Sequence, residues 1–311
     1  MNVKKKSIPF NPEQDIPSLT GKTILITGGN IGLGKQCVLE YAKHNPALIW
    51  LAARSIPKAE VAIEEIQTQL SKKVNIKVLE LDLASLDSVK KAAATVLSES
   101  ERLDILMLNA GIMATPPGLT KDGYELQFGT NYLGHIHLVN FLLPLLEKTT
   151  ALPNADVRLI LLSSQGHAYF FNPEGIKYDT LRTDADALGP YGRYGQSKLA
   201  MILWGREAAK RYPGITVASI HPGAVRTNLM NSATGSPCWV RVLGKVAKWV
   251  VTPVDKGARN QLWASVSRDV VSGEYYGPVG VGGMGSDLAR NEELARGLFE
   301  WTEGELKAHC V

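Results

Sequence analysis

Two side chains that could exchange a proton stand four residues apart in the stretch YGQSKLAMILW. Tyr194 and Lys198 lie near the start of a segment that is predicted to be helical as far as Arg211, so both side chains project from one helix face. A phenol, whose ordinary pKa is about 10, is a weak acid or base at neutral pH. A neighbouring ammonium group favours the phenolate and lowers that pKa, as a proton donor to a carbonyl oxygen requires. A tyrosine and a lysine that simply face solvent are the alternative.

A glycine-rich turn in KTILITGGNIGLGKQCVLEY could bind a phosphate. Its apolar start, residues 23–27, predicts a strand buried on both faces, and Gly28, Gly32 and Gly34 lead into a segment with helical spacing. Residues without a Cβ let the backbone approach a pyrophosphate, and the free N–H groups at the helix start then face that anion. The spacing is TGxxxGxG rather than GxGxxG, and a glycine turn without a ligand is the alternative.

Composition narrows the class of protein. The chain has 311 residues, 45% of them apolar, and can bury the core of one large α/β domain or two small ones. A formal charge of +4 comes without the basic stripe that nucleic-acid binding requires, so no nucleic-acid partner is expected. Cys37, Cys238 and Cys310 lie far apart and form no CxxC pair. This argues against a metal site or a disulfide framework and for a reducing, cytoplasmic compartment.

The sequence predicts a single domain without a targeting segment. The N-terminal MNVKKKS is not followed by the apolar segment of a signal peptide, and no apolar run is long enough for an integral membrane segment. Residues 1–20 are polar and contain Pro9, Pro12 and Pro17, which predicts an N-terminal surface arm. Residues 21–311 contain no linker that would divide them.

Short apolar runs alternate with segments of helical period along the chain. Repeated units of this kind predict an α/β fold, namely a single doubly wound, Rossmann-like domain whose mostly parallel sheet of about seven strands is flanked by helices. Ligands of such folds bind at the carboxyl ends of the strands. The predicted strands are 23–27, 47–53, 76–81, 104–108, 157–162, 215–220 and 274–276, and the predicted helices after the first are 58–70, 86–98, 123–146, 194–211, 253–268 and 291–309.

A set of short motifs lies at these strand ends. They are TGGNIGLG at 27–34, Asp82-Leu83, Asn109-Ala110-Gly111, Asn131, Ser164, Tyr194 with Lys198, and Pro222-Gly223 with Thr227. In this order they resemble the motifs of the short-chain dehydrogenase/reductase family, and the similarity extends from about Lys22 to Thr227. The stretches FGTNYLGH and SSQGH further resemble the branch that includes retinol dehydrogenases and protochlorophyllide reductase.

This resemblance implies a catalytic role for four residues. Tyr194 would exchange a proton with the substrate oxygen, and Lys198 would lower the tyrosine pKa and hydrogen-bond the nicotinamide ribose. Ser164 would donate a hydrogen bond to the carbonyl oxygen. Asn131 would hold a water behind Lys198, with a purely structural amide as the alternative. Ser163 is the alternative candidate for this role. Because side chains alternate faces along a strand, only one of the two serines should point at the substrate, and the family pattern selects Ser164.

The resemblance also implies a nicotinamide dinucleotide, and the second strand indicates which one. A cation after this strand accommodates the 2′-phosphate of NADP(H), whereas an NAD-type site has an acidic residue there. Ala53 fills the acidic position and Arg54 follows it, with Ser55 and Lys58 nearby, so NADP(H) is favoured over a reading of Arg54 as a solvated loop residue. The residues expected to contact the cofactor are Thr27, Gly28, Asn30, Ile31, Gly32, Leu33, Arg54, Ser55, Asp82, Leu83, Asn109, Ala110, Gly111, Tyr194, Lys198, Pro222, Gly223, Val225 and Thr227.

Roles within this set differ. Asp82 is expected to accept a hydrogen bond from the adenine amino group, and residues 109–111 to pack against the adenosine ribose. Thr227 is expected near the carboxamide. His167 and His221 are interpreted as structural or substrate-lining, because the tyrosine already supplies acid–base chemistry.

Two segments depart from the family pattern. Residues 166–190 lengthen the gap between Ser164 and Tyr194, which predicts an insertion next to the surface through which the family usually dimerises. Both a monomer and a homodimer therefore remain possible. Residues 224–252 are predicted to form a substrate lid, whose stretch WVRVLGKVAKWVV is basic and amphipathic. A helix lying on a membrane is the alternative for this stretch.

The function that follows is NADP(H)-dependent hydride transfer between nicotinamide and the carbonyl or secondary alcohol of a small molecule. The apolar residues of the lid predict a lipophilic or aromatic substrate, with ketone or aldehyde reduction as the favoured direction. A catalytically silent NADP(H)-sensing or scaffold protein on the same fold is the alternative.

Overall fold

The computed structural model describes residues 6–170, 172–225, 233–235 and 251–309. Within them, one sheet has the strand order β3-β2-β1-β4-β5-β6-β7, and every neighbouring pair is parallel. The predicted α/β fold with a parallel seven-stranded sheet is therefore confirmed. The strands are β1 (Thr23–Thr27), β2 (Leu48–Ala53), β3 (Ile76–Glu80), β4 (Ile105–Leu108), β5 (Arg158–Leu162), β6 (Thr216–Ile220) and β7 (Tyr275–Tyr276).

Helices connect the strands and cover both faces of the sheet. They are α1 (Pro12–Asp15), α2 (Gly32–Ala42), α3 (Ile56–Gln67), α4 (Leu86–Glu99), α5 (Leu126–Phe128), α6 (Gly134–Thr150), α7 (Gly166–Tyr169), α8 (Gly189–Arg211), α9 (Val254–Gly257), α10 (Arg259–Val266), α11 (Asp287–Arg290) and α12 (Glu292–Lys307). A π-helical turn, Gly129–Leu133, joins α5 to α6, and 3₁₀ turns lie at Tyr178–Thr180 and Asp186–Leu188.

The central strands bury both of their faces, as their continuous apolar runs predict. Leu25 and Leu106 belong to a core that includes side chains of α4, α6, α8 and α12. Ile24 and Ile105, one residue earlier in each strand, belong to a second core with side chains of α2, α3 and α10. Alternate residues of a strand point to opposite faces, so each strand contributes to both cores.

The predicted helix bounds need correction in several places. α8 begins at Gly189 rather than at Tyr194, because Pro190 fits the first helical turn, where its missing N–H has no partner to lose. α3 likewise begins at Ile56, before the predicted start at Lys58. The predicted helix 123–146 consists of α5, the π-helical turn and α6, and the predicted helix 253–268 is divided into α9 and α10.

The N-terminal arm and the insertion contribute more to the core than their polar composition predicted. The arm is joined to the far edge of the fold, since the Ile8 N–H donates to the Val279 carbonyl oxygen at 2.9 Å. Both segments also pack against the rest of the domain through apolar side chains. Among their described residues, the buried apolar side chains include Phe10, Pro12, Ile16, Leu19, Ile176, Leu181 and Ala185.

Most of the predicted lid, including Thr227 and residues 239–250, lies outside the described residues. None of the helices in the described ranges has both the length and the apolar character that crossing a membrane would need.

Candidate active site

Tyr194 and Lys198 are buried in the first half of α8. Their exposed fractions are 5% and 3%, and the Lys198 ammonium nitrogen lies 5.8 Å from the centre of the Tyr194 ring. Lys198 donates a hydrogen bond of 2.8 Å to the Leu162 carbonyl oxygen. The pair therefore lies between α8 and the carboxyl end of β5, where the sequence predicted a ligand site.

The two serines after β5 point in different directions, as alternation along a strand requires. Ser163 is buried and donates to the Lys198 carbonyl oxygen at 2.7 Å. Ser164 instead forms a side-chain hydrogen bond with Tyr194, and its oxygen accepts from the Gly166 N–H at 3.0 Å. Ser164, rather than Ser163, is thus brought to the phenol.

Burial shifts the titration of the tyrosine and the lysine. The pKa of Tyr194 is raised, because burial penalises the phenolate, and the hydrogen bond from Ser164 opposes that shift. Burial lowers the pKa of Lys198 to about 8. The prediction of a lowered tyrosine pKa is wrong for this structure. The physical reason is that Lys198 donates to a backbone carbonyl and not to the phenol, so desolvation dominates.

Asn131 lies in the π-helical turn Gly129–Leu133 and is fully buried. Its side-chain oxygen accepts from the Ile112 N–H at 2.8 Å, and its amide nitrogen donates to the Ile112 carbonyl at 2.9 Å and to the Ser197 hydroxyl at 2.9 Å. A Cβ at Gly111 would lie 3.2 Å from the Asn131 side-chain oxygen and 3.4 Å from the Lys198 nitrogen. Asn131 therefore joins the loop after β4 to α8, beside Lys198.

Thr27 and Asn109 join the carboxyl ends of β1 and β4. The Thr27 hydroxyl accepts from the Asn109 N–H at 2.9 Å and from the Ala110 N–H at 3.0 Å. The Asn109 amide donates to the Thr27 carbonyl at 2.9 Å, and its side-chain oxygen contacts Gln261 of α10 at 3.3 Å. These contacts form a rigid polar floor under the glycine turn.

The glycines of the turn are required by close packing. Gly28 has φ +66°, and a Cβ there would lie 3.0 Å from the Ala110 Cα. A Cβ at Gly34 would lie 2.3 Å from the Gly28 carbonyl oxygen. α2 begins here at Gly32 after Ile31, and no side chain of the described ranges caps its first turn. Its first amides are therefore available to an anion.

Arg54 lies at the end of β2, on the same sheet edge as the glycine turn. It is exposed and makes no hydrogen bond or ion pair within the described ranges, whereas Ser55 is half-buried at the start of α3. Asn30 is half-buried and Ile31 is half exposed, at 50%. The cation that the sequence singled out is thus unpaired at the edge where a dinucleotide would lie.

Asp82 follows β3 on this edge. One of its oxygens accepts from the Ala84 N–H at 3.1 Å, and the other lies 3.6 Å from the Lys121 ammonium nitrogen. Leu83 is buried against α6, since a Cβ at Gly134 would lie 2.3 Å from the Leu83 carbonyl oxygen. Lys121 was missed because it stands in a loop with no motif around it.

The loop after β6 is held by α10, which the sequence analysis did not connect with the site. Asn260 is buried and donates to the His221 carbonyl at 2.8 Å and to the Tyr276 carbonyl at 3.1 Å. Pro222 and Gly223 follow, with Gly223 at φ +89°. The only sequence signal for Asn260 and its neighbour was a polar pair, NQ, inside an apolar helix. Val225, also expected to contact the cofactor, packs against Gly257 of α9.

The two histidines near Ser164 have backbone partners, which supports their structural interpretation. His167 is buried, its Nδ1 lies 2.7 Å from the Ser164 carbonyl oxygen, and its Nε2 accepts from the Ser286 N–H at 3.2 Å. His221 Nδ1 accepts from the Gln165 N–H at 3.4 Å. Burial lowers the pKa of His167, and it lowers that of His221 to about 4. Both rings are therefore neutral at physiological pH.

These residues fit a nicotinamide dinucleotide. The glycine turn leaves no room for side chains, the first amides of α2 lack a capping side chain, and Tyr194 lies at the same sheet edge beside Lys198. Thr27, Gly28, Asn109 and Ala110 would form the floor of the site.

Comparison with known proteins agrees with this arrangement. The model of the short chain dehydrogenase family matches residues 22–164. A short-chain dehydrogenase/reductase of Aspergillus calidoustus, drtF, is 38% identical over 308 residues that cover 94% of this chain and 96% of that protein. Retinol dehydrogenase 13 of Homo sapiens is 36% identical over 293 residues, covering 92% and 84%. The structure of NADPH-bound carbonyl reductase from chicken fatty liver superposes with a TM-score of 0.60 at 26% identity, covering 83% of this chain and 97% of that one.

Proposed function

Because the chain belongs to the short-chain dehydrogenase/reductase family, we propose that it is an NADP(H)-dependent oxidoreductase that reduces the carbonyl of a lipophilic or aromatic small molecule, or oxidises the matching alcohol. The observation that carries this proposal is the buried Tyr194 hydroxyl, hydrogen-bonded to Ser164 with Lys198 alongside.

The proposed chemistry assigns one task to each side chain. In reduction, the carbonyl carbon gains a hydride equivalent, which a bound dinucleotide supplies, and the carbonyl oxygen gains a proton from Tyr194. Ser164 donates a hydrogen bond to that oxygen and stabilises the charge that develops there. Lys198, an ammonium group below its pKa of about 8, stabilises the phenolate left behind and delivers the replacement proton.

The raised pKa of Tyr194 favours the reductive direction. A phenol with a raised pKa keeps its proton at neutral pH and can transfer it once Lys198 and Ser164 stabilise the phenolate that forms, whereas alcohol oxidation would need the phenolate first. Carbonyl reduction is therefore the direction we propose, in line with the carbonyl reductase named above.

The substrate class is supported by apolar side chains around the phenol. Met113, Ala114 and Ala233 form a buried cluster with Tyr194, and Tyr191 packs against this cluster. The Tyr191 ring lies 4.9 Å from that of Phe170, which is 39% exposed. An apolar wall that continues to the surface in aromatic rings fits a lipophilic or aromatic carbonyl compound better than a charged one.

The proposal is tested with Tyr194→Phe. Loss of the only proton donor in the proposed chemistry should lower kcat about 100-fold or more on a panel of lipophilic ketones, aldehydes and quinones, while the NADPH dissociation constant stays within about twofold. Tyr178→Phe is the control, because this hydroxyl belongs to the insertion and its ring contacts Trp301. Full activity of Tyr194→Phe would overturn the mechanism. NADPH binding by the wild-type chain without oxidation of NADPH on any compound would favour the silent sensor or scaffold instead. Cytoplasmic localisation stays a prediction from cysteine usage.

A further inference from the structure

His135 is a buried histidine whose two ring nitrogens both have polar partners. It lies in α6, one turn after Asn131, and its exposed fraction is 0%. Nδ1 lies 2.9 Å from the Asn131 carbonyl oxygen, and Nε2 lies 2.8 Å from the Thr27 hydroxyl. The ring therefore spans the distance between the floor of the cofactor site and the residue beside Lys198.

The partners of Thr27 fix the tautomer of this ring. The Thr27 oxygen already accepts hydrogen bonds from the Asn109 and Ala110 N–H groups, which use both of its lone pairs. Its own hydrogen is then donated to Nε2 of His135 at 2.8 Å, which is much closer than the Met107 carbonyl oxygen at 3.5 Å. Nδ1 consequently carries the ring proton and donates it to the Asn131 carbonyl. A charged ring could not accept from Thr27, and burial lowers the pKa of His135 to about 3.

The same hydrogen-bond chain continues to the catalytic helix. The Asn131 amide donates to the Ser197 hydroxyl at 2.9 Å, and that hydroxyl donates to the Tyr194 carbonyl oxygen at 2.8 Å. The chain thus joins the end of β1, the π-helical turn and α8 through side chains that are all buried. A shift at either end of the imidazole would move the other end.

We propose that His135 is a positioning residue that holds two parts of the site in register: the Thr27–Asn109–Ala110 floor through Nε2, and the Asn131 carbonyl through Nδ1–H. The inference rests on the proposed function, in which the floor contacts the cofactor and Asn131 lies beside the catalytic Lys198. It predicts that cofactor affinity and turnover can be separated, because each depends on a different nitrogen of one ring.

Two replacements test the two nitrogens separately. In His135→Asn the amide nitrogen takes the place of Nδ1 and keeps the contact with Asn131, while the contact with Thr27 is lost. In His135→Gln the longer side chain reaches the place of Nε2 and keeps Thr27, while the contact with Asn131 is lost. We expect His135→Asn to weaken NADPH binding about tenfold with kcat within about threefold of wild type, and His135→Gln to lower kcat about tenfold with NADPH binding within about twofold.

His137→Phe is the matched control. This second buried histidine of α6 packs against Phe141 with ring centres 4.6 Å apart, and neither of its nitrogens has a hydrogen-bond partner among the described residues. It should leave both the NADPH dissociation constant and kcat at the wild-type values. The dissociation constants are measured by NADPH fluorescence, independently of turnover.

Separation of the two effects supports the inference, and proportional loss of affinity and turnover in both variants overturns it. If wild type fails to bind NADPH, the proposed function falls, whereas normal wild-type binding with two indistinguishable variants overturns this inference alone. Long-range ¹H–¹⁵N correlation spectra of histidine-labelled wild type provide a check that needs no variant. They should show His135 protonated at Nδ1 and unprotonated at Nε2, and an Nε2–H tautomer would overturn the assignment.

Discussion

The ammonium group of Lys198 is buried and has no carboxylate partner among the residues that the structure describes, and this determines how the site should respond to pH. Its pKa is lowered to about 8 by burial. Above that pH the side chain becomes neutral and can no longer stabilise the phenolate that Tyr194 leaves after donating its proton. Because the rings of His135 and His221 have pKa values of about 3 and 4, they stay neutral through the same range.

We therefore predict that kcat/KM falls only on the alkaline side of its pH profile. The kcat/KM for carbonyl reduction should be level between about pH 5 and pH 7 and should fall as pH rises through about 8, approaching tenfold per unit. Lys198→Arg keeps a positive charge at high pH, so its residual activity should lack this alkaline fall. An alkaline fall that persists in Lys198→Arg would assign the titration to another group.

Arg54 carries the prediction about cofactor choice. Its guanidinium is unpaired within the described chain, and no acidic residue stands at position 53. Arg54→Ala should weaken NADPH binding about tenfold or more while changing NADH binding less than about threefold, because only NADPH carries the 2′-phosphate. Lys72→Ala, which removes an exposed charge from the loop before β3, is the control. Equal losses for the two cofactors would remove the preference for NADP(H).

At the scale of elements, the bounds of the strands were predicted to within a residue or two, because a continuous apolar run directly indicates a strand that is buried on both faces. The start of α8 was missed because a Gly-Pro pair such as Gly189-Pro190 is typical of a loop turn as well as of the first turn of a helix. The sequence analysis also missed buried polar residues that hold the loops of the site in place. Asn260 acts from a helix distant in sequence, and no local pattern reveals which strand end a buried amide will meet. The direction of the Tyr194 pKa shift was also missed, because it depends on how deeply the phenol is buried and helical spacing gives no information on burial.

α12 covers the outer side of α8 and so bears on oligomeric state. Trp204 of α8 stacks on Phe299 with ring centres 5.8 Å apart and an interplanar angle of 12°. The insertion joins this cover, because Arg182 contacts Tyr124 and Glu305 through hydrogen bonds of 2.8 and 2.6 Å. Since the resemblance implied dimerisation through this face, we propose a monomer in preference to the homodimer.

The stacked pair makes a stability prediction for α12. Phe299→Ala removes a ring that is 3% exposed and leaves a cavity beside Trp204. The free energy of unfolding should fall by about 3 kcal/mol or more in urea titrations. Leu97→Ala serves as the control, because Leu97 is 42% exposed on α4 and should cost less than about 1 kcal/mol. Equal effects of the two changes would show that α12 is only loosely attached.

On the scale of the whole molecule, several histidines are buried or half-buried and carry no charge at neutral pH. Burial lowers the pKa of His135 to about 3 and those of His137 and His221 to about 4. An unfolded histidine has a pKa of about 6.5, so below that pH the unfolded chain binds protons that the folded chain excludes. Stability must therefore fall as pH falls from about 6.5 towards 4, with each such ring contributing a slope of about 1.4 kcal/mol per pH unit.

This linkage can be isolated at His137, which makes no hydrogen bond within the described chain and lies away from the site. The free energy of unfolding of wild type should be lower at pH 5 than at pH 7, and His137→Phe should remove about 2 kcal/mol of that difference, because the phenyl ring binds no proton in either state. Urea titrations at the two pH values measure it, with Tyr178→Phe as a variant whose pH dependence should match wild type. If His137→Phe kept the full wild-type difference, the ring would have to be protonated in the folded protein, and the acid sensitivity would have another source.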